Sequence, residues 1–293
     1  RIEVNIAGGL DVDLPRMVKV RQRFPNEKVD DVAATVVEQF RRPELRAKIT
    51  PGIRIAVGCG SRGVANVAEC AKTVIAELKS LGAQPFIFPA MGSHGSASAE
   101  GQVKVLDSLG ISEETMGCPI QSSMEVVELG KLADGTPIWC DRHAAEADAI
   151  ALICRVKAHT NFRAPIESGI VKMLVIGMGK IAGATAMHWH GFDAFKDLLP
   201  KAGQFIMEKK NFLFGVAMVE NAADETALVE IVPSENVLQR ETELLALSRE
   251  LMPRLQFDEI DVLVVDRMGK NITGAGMDPN VVGRNARGTD WEA

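Results

Sequence analysis

The stretch that decides the fold runs over residues 53–89, IRIAVGCGSRGVANVAECAKTVIAELKSLGAQPFIFP. Its β-branched start, 53–59, predicts a strand, and the apolar residues of 64–81 recur at helical spacing. Residues 84–89 predict a second strand. A strand, a helix and another strand in so short a stretch are typical of a parallel sheet covered by helices.

The rest of the chain continues this alternation, with strands predicted at 149–155, 212–219 and 260–266 and helices at 97–109, 193–209 and 235–251. We therefore expect an α/β fold. Residues 1–256 would form a Rossmann-like N-terminal domain with a parallel sheet, and residues 257–293 the beginning of a second, incomplete α/β domain. Ligands of such sheets bind beyond the carboxyl ends of the strands. Three polar loops follow predicted strands there, after residues 59, 89 and 155.

Composition excludes several function classes. The 293 residues are 46% hydrophobic and 25% charged, and their formal charge of -6 is spread without a basic run, so we expect no nucleic-acid partner. No apolar stretch reaches the roughly 18 residues of a membrane span, and the first residues lack a signal-peptide pattern. Five cysteines without a C-x-x-C pair predict reduced thiols. These features favour a cytoplasmic protein that contacts no membrane.

The chain has only five histidines, and four of them lie in three motifs: Gly-Ser-His94-Gly, Arg155-Val-Lys-Ala-His159-Thr-Asn-Phe and Met187-His188-Trp-His190-Gly. Histidine serves both as an acid/base near neutral pH and as a metal ligand. The turn before a helix, where His94 stands, would suit Ser, Asp or Asn better if its role were only structural. His188 and His190 share one face only in an extended segment, so in a helix a single one reaches a site.

Cations accompany the second histidine motif. Arg155 and Lys157 precede His159 by a few residues, and nearby positive charges lower the pKa of an imidazole. A lowered pKa favours the neutral form that a general base requires.

The glycine-rich loop after the first strand contains Gly60, Ser61 and Arg62. Closely spaced glycines leave backbone N–H groups free to face an anion, so the loop suits phosphate binding. A tight turn needs glycine for backbone reasons as well. The spacing leaves both interpretations open.

Two lysines lie close together in an apolar region. Lys172 interrupts the apolar run 170–176, where an ammonium group is costly unless it reaches water, pairs or reacts. A desolvated lysine is also a competent nucleophile. Lys180, in Gly-Met-Gly-Lys, is the competing anchor, although its glycine-rich setting favours a phosphate contact.

Together these segments resemble the nickel-dependent lactate racemase family of 2-hydroxyacid racemases and epimerases. The similarity extends over residues 14–284. The matching strings are Gly-Ser-Arg62-Gly, Pro89-Ala-Met-Gly-Ser-His94-Gly, Arg155-Val-Lys-Ala-His159-Thr-Asn-Phe, Glu167-Ser-Gly-Ile-Val-Lys172-Met-Leu, His188 and Gly-Met-Asp278-Pro-Asn280.

The resemblance implies a covalently attached nickel-pincer nucleotide, a pyridinium mononucleotide whose ring carbon and two sulfurs bind nickel. Lys172 would carry it through a thioamide. His188, rather than His190, would complete the nickel coordination. The resemblance also makes His94 and His159 the acid/base pair and Arg62 the arginine that binds the substrate. The remaining predicted cofactor contacts are Gly60, Ser61 and Lys180.

The implied reaction inverts C2 of a 2-hydroxyacid. A base takes the hydroxyl proton while hydride moves from C2 to the cofactor, which avoids a carbanion beside a carboxylate. The implied partners are the small 2-hydroxyacid and, transiently, the proteins that synthesise the cofactor. The sequence leaves open whether the protein forms a homo-oligomer.

The chain differs from the lactate enzymes at the first loop, where they have an acid, a hydroxyl residue and Arg-Pro and this chain has Cys59, Ser61 and Arg62-Gly63. It also contains no tyrosine. These differences weaken lactate as the substrate and leave the 2-hydroxyacid class. Two other functions stay open. A nicotinamide-dependent oxidoreductase would need an acidic ribose ligand where the second strand ends Phe88-Pro89-Ala90, and a non-catalytic nucleotide- or anion-binding homologue would leave the histidines unexplained.

Overall fold

The computed structural model describes residues 16–269, 273 and 276–283. Its strands are β1 (Arg54–Cys59), β2 (Gln84–Pro89), β3 (Val126–Lys131), β4 (Pro137–Asp141), β5 (Ala149–Arg155), β6 (Phe212–Glu220) and β7 (Thr226–Pro233). Five of them form one sheet in the order β2-β1-β5-β6-β7, and β3 and β4 form a separate hairpin. β2, β1, β5 and β6 are parallel, and β7 pairs antiparallel with β6.

The helices are α1 (Val32–Phe40), α2 (Pro43–Arg46), α3 (Val67–Ser80), α4 (Ala99–Ser108), α5 (Glu113–Met116), α6 (Arg142–Glu146), α7 (Ile170–Lys172), α8 (Lys180–His188), α9 (Phe195–Lys209), α10 (Val237–Leu251) and α11 (Pro279–Val282). Short 3-10 turns occupy Gly95–Ala97, Phe192–Ala194 and Ser234–Asn236, and a π-helix occupies Met173–Gly177. The π-helix continues directly from α7.

Helices cover both faces of the sheet because its strands are apolar on both sides. Along β1, Ile55 and Val57 pack into a core with α1 and α3, whereas Ala56 between them belongs to a second core. That second core contains Leu199 of α9 and Leu244 of α10. Alternate residues of one strand thus serve opposite layers, as the period of two requires.

The chain order of the strands creates a crevice at the end of β1. From β1 the chain forms β2 on one side and later returns to form β5 on the other side. Such a reversal opens a cleft at the carboxyl ends of the two flanking strands. The loops after β1, β2 and β5 therefore meet at one edge, and these are the polar loops singled out by the sequence.

The α/β class and the predicted elements before residue 252 are confirmed, but the strand predicted at 260–266 is wrong. Val262 and Val264 are 79% and 83% exposed and pair with no described strand. An apolar run forms a strand only where a neighbouring strand accepts its backbone hydrogen bonds. The domain boundary near residue 257 stays a prediction, and residues 284–293 lie outside the described part of the chain.

All five cysteines are buried, and none of them forms a disulfide bond. Among the described residues no single helix is long and apolar enough to cross a membrane. The consecutive helical segments Ile170–Gly177 and Lys180–His188 are together long and apolar enough, but the chain bends by 106° between them.

Candidate functional site

Two glycine loops meet the π-helix that follows Lys172. A Cβ atom at Gly60 would lie 3.2 Å from the Met173 sulfur, so the loop after β1 lies against this segment. Gly92, in the loop after β2, donates its N–H to the Gly177 carbonyl at 2.9 Å. Gly92 has a φ of +59°, which favours glycine. The backbone of the predicted site is therefore closely packed.

His94 lines an open depression in the surface. The depression measures about 270 Å³ and is lined by Ser61, Arg62, His94, Gly95 and Val105. The Ser61 hydroxyl is hydrogen-bonded to His94 Nδ1. Partial burial lowers the pKa of His94, and the charges of Arg62 and Lys172 lower it further. The ring is therefore neutral at pH 7 and borders a space that an anion can enter.

His159 lies in a more enclosed position. Its ring packs on Phe162 at a centroid distance of 4.4 Å and faces Phe192 at 5.9 Å. Asn161 N–H donates to Nδ1 at 3.1 Å, so the neutral ring carries its proton on Nε2. Burial lowers the pKa of His159 to about 2, with contributions from the positive charges of Lys172 and His188. This histidine is also neutral, and burial is again the main reason.

The loop of His159 is held by Glu167, a residue to which the sequence assigned no role. Its carboxylate is fully buried, accepts the His159 backbone N–H at 2.6 Å and forms an ion pair with Arg249 at 2.5 Å. Arg249 lies on α10, far along the chain. The only available sequence signal was an acid in a small, apolar stretch.

Lys172 is the last residue of α7 and is partly buried. Within the described residues its amine forms no hydrogen bond or ion pair. Its pKa is lowered from 10.5 to about 8, mainly by burial and in part by the charges of Arg62 and Lys157, whereas Glu167 opposes the shift. An adjoining π-helix is a frequent mark of functional sites. The amine is thus unpaired and partly neutral near physiological pH.

The N-terminus of α7 depends on Glu241, which the sequence also left without a role. This fully buried carboxylate on α10 accepts the Val171 N–H at 2.9 Å. Burial raises its pKa to about 7. Glu241 thus fixes the backbone immediately before Lys172.

Lys180 differs from Lys172 in every respect that bears on reactivity. It is 0% exposed, forms an ion pair with Asp141 at 3.2 Å and donates to Gln102 Oε1 at 2.8 Å and to the Pro89 carbonyl. Two oxygens thus accept hydrogen bonds from the ammonium group, and the Asp141 carboxylate balances its charge. The placement therefore favours a structural role over the predicted phosphate or cofactor contact.

The structure brings His188, but not His190, close to His159. His188 Nδ1 donates to the Ala184 carbonyl at 2.6 Å, which in the neutral form leaves the Nε2 lone pair free, and His188 and His159 both pack against Phe192. His190 is bonded instead to the Thr136 hydroxyl, at 3.0 Å. No group of three or more potential metal-ligating side chains occurs in the described ranges. A metal here would need most of its donors from elsewhere.

Comparisons with known proteins support the same assignment of fold. A model of the lactate racemase N-terminal domain family matches residues 11–196. The solved structure of the lactate racemase apoprotein from Thermoanaerobacterium thermosaccharolyticum is similar with a TM-score of 0.54 at 12% sequence identity. The match covers 74% of this chain and 56% of that one, so this chain spans little more than half its length. No curated protein sequence matches.

Proposed function

The chain belongs to the lactate racemase N-terminal domain family, and from that premise we propose that it is a racemase or epimerase of a 2-hydroxyacid. One observation carries the proposal: the charge of Lys172, a partly buried lysine without an ionic partner among the described residues, lowers the pKa of both His94 and His159. A reactive amine thus lies near two neutral imidazoles contributed by different loops.

Arg62 is the proposed carboxylate ligand. Its side chain is exposed at the depression beside His94 and forms no ion pair with any described residue. A guanidinium group binds a carboxylate through two parallel, charge-assisted hydrogen bonds. A 2-hydroxyacid held in this way presents its C2 hydroxyl to the neighbouring imidazole.

His94 and His159 are the proposed acid/base pair. Inversion at C2 requires a proton acceptor for the hydroxyl group of each enantiomer, and both rings are held neutral. To accept that proton, His159 must release the bond that its Nδ1 accepts from the Asn161 N–H. They follow β2 and β5, on opposite sides of β1. We assign one histidine to each enantiomer.

The residues fit a nickel-pincer nucleotide. Such a group would bring three donors of its own, so a single imidazole would complete its nickel coordination, and the Nε2 of His188 suits this role. The Lys172 amine suits covalent attachment because it has no ionic partner to lose. When bound, the group supplies the electrophilic ring that accepts hydride from C2.

The test is the intact mass of the protein produced together with the cofactor-synthesis enzymes. We expect a mass increment on the peptide that contains Lys172, visible absorbance and racemisation of 2-hydroxyacids. Lys172→Arg should fold but lose all three, because guanidinium keeps the charge and lacks the nucleophilic amine.

Lys157→Arg is the matched control, since Lys157 is also partly buried but already forms an ion pair with Asp278 at 3.2 Å. It should keep the adduct. An adduct that survives in Lys172→Arg would refute the anchor, and a colourless wild-type protein without racemase activity under these conditions would refute the function.

A further inference from the structure

The loop that carries His94 has an unfavourable backbone conformation. Gly95, Ser96 and Ala97 follow the histidine with φ angles of 65°, 56° and 52°. Left-handed backbone is unfavourable for Ser and Ala because Cβ approaches the following carbonyl oxygen. Something in the surrounding structure must stabilise this turn, and such strain gathers at functional sites.

Gln102 contacts the loop from behind. Its side chain is 0% exposed on α4 and donates Nε2 to the Gly92 carbonyl at 2.9 Å and to the His94 carbonyl at 3.2 Å. Both bonded carbonyls belong to residues that precede the left-handed turn, and His94 adjoins it directly. One amide group thus fixes the backbone on which the His94 ring is mounted.

Lys180 fixes the other end of the amide. Its ammonium donates to Gln102 Oε1 and to the Pro89 carbonyl and pairs with the equally buried Asp141. A buried charge is tolerated only when it is paired and hydrogen-bonded. Because Lys180 donates to Oε1, the orientation of the amide is fixed, and its Nε2 faces the loop.

We propose that the buried network of Asp141, Lys180 and Gln102 holds the His94 loop in its left-handed turn, so that Gln102 and Lys180 are positioning residues for the His94 ring. The network joins the end of β2 to α4, β4 and α8. None of these three elements carries His159, the other predicted acid/base residue. Its importance for catalysis rests on the proposed function, whereas the positioning itself can be measured without activity.

The primary test is an NMR titration of His94 in Gln102→Met, with the His94→Gln protein used to assign the signal. Met keeps the volume of Gln but neither donates nor accepts these bonds. The groups that face His94 are the Ser61 hydroxyl, Arg62 and Lys172. Release of the loop should expose the ring to water and raise its pKa toward the ordinary 6.5. Amide exchange at Ser96 and Ala97 should accelerate at least ~10-fold.

Leu106→Met is the matched control, because Leu106 is equally buried on α4 but contacts the apolar core. It should leave the His94 titration unchanged. If Gln102→Met does not fold, the double variant Lys180→Met with Asp141→Asn removes both charges together and should move the His94 pKa in the same direction.

An unchanged His94 titration in a folded network variant would overturn the proposal. Where racemase activity is present, Gln102→Met should lower kcat more than it changes KM, because the ring and not the carboxylate ligand is displaced. A shifted titration in a protein that never racemises 2-hydroxyacids would support the positioning network and refute the proposed function.

Discussion

The two histidines of the candidate site reach the same neutral state in opposite surroundings. His94 borders an open depression, with a hydroxyl group and an exposed guanidinium as its neighbours. His159 is enclosed by phenylalanine rings, and its Nδ1 already accepts a backbone N–H. The comparison shows that burial is the largest cause of the lowered pKa in both surroundings and that Lys172 adds to it at both rings, whereas Arg62 acts on His94 and Lys157 on His159.

The two sides also differ in what supports them. The His94 backbone depends on the amide of Gln102. The His159 backbone is bonded by the Glu167 carboxylate and, from the end of the described chain, by Asn280, whose Nδ2 lies 3.4 Å from the His159 carbonyl. Residues after 257 thus contact the His159 side. The open depression lies on the His94 side.

The largest expected effect comes from removing either imidazole. His94→Ala and His159→Ala should each lower racemisation by about 10² to 10⁴, the range of general acid–base catalysis, because each turnover uses both. His188→Ala should instead deplete nickel. The measurement is racemisation by polarimetry together with the metal content of each variant.

His190→Ala is the control for this series, since His190 is bonded to Thr136 and lies apart from the other rings. It should keep both activity and nickel. Full activity in either His94→Ala or His159→Ala, or equal nickel content in all the variants, would contradict the assigned roles and break the comparison between the two sides.

The next effect concerns Lys172, whose charge acts on both histidines. An amine attacks an electrophile only when deprotonated, so its rate of modification rises with pH and reaches half its maximum near the pKa, about 8 for this residue. At pH 8 about half of Lys172 is neutral, roughly a hundredfold more than of an ordinary lysine. Acetylation of the apoprotein with a limiting reagent, followed by peptide mass spectrometry over pH 6 to 10, measures the profile.

Lys180 provides the internal comparison for that profile, because its ammonium is fully buried and paired. It should stay unmodified in the folded protein. A Lys172 profile that coincides with those of exposed lysines would show that its amine is not desolvated, and the case for a covalent anchor would fail.

Local patterns made most of the fold predictable. The β1, α3 and β2 segments have strong periods of two and 3.6, and the polar loops follow from the rule that parallel strands place their carboxyl ends together. The β3–β4 hairpin and β7 were not predicted, since neither has such a clear pattern. The strand at 260–266 was wrong because a pattern cannot show whether a neighbouring strand exists.

The supporting residues of the site could not be predicted in the same way. Glu167 and Arg249 are 82 residues apart, and the separation between Lys180 and Gln102 is 78. Their roles depend on elements that meet only in the folded chain. The apolar residues around Lys172 favour it over Lys180 as the anchor. The feature that distinguishes Lys180 in the structure is its ion pair with Asp141, which lies on β4.

The smallest expected effect comes from glycine substitutions that compare the left-handed backbone of the His94 loop with ordinary helical backbone. Ala97 has a φ of 52°, and glycine adopts this conformation without a Cβ penalty, so Ala97→Gly should stabilise the protein by about 0.5 kcal/mol after the entropy of glycine is subtracted. Ala76→Gly, at an exposed position inside α3, should destabilise it by about 0.5 to 1 kcal/mol. Urea unfolding measures both changes. Because Gln102 holds the His94 loop, Ala97→Gly should leave the Ser61–His94 hydrogen bond intact while it stabilises the protein. If the two glycine substitutions were equally destabilising, the left-handed turn would be absent from the protein in solution, and the contrast between a strained His94 side and a relaxed His159 side would fail with it.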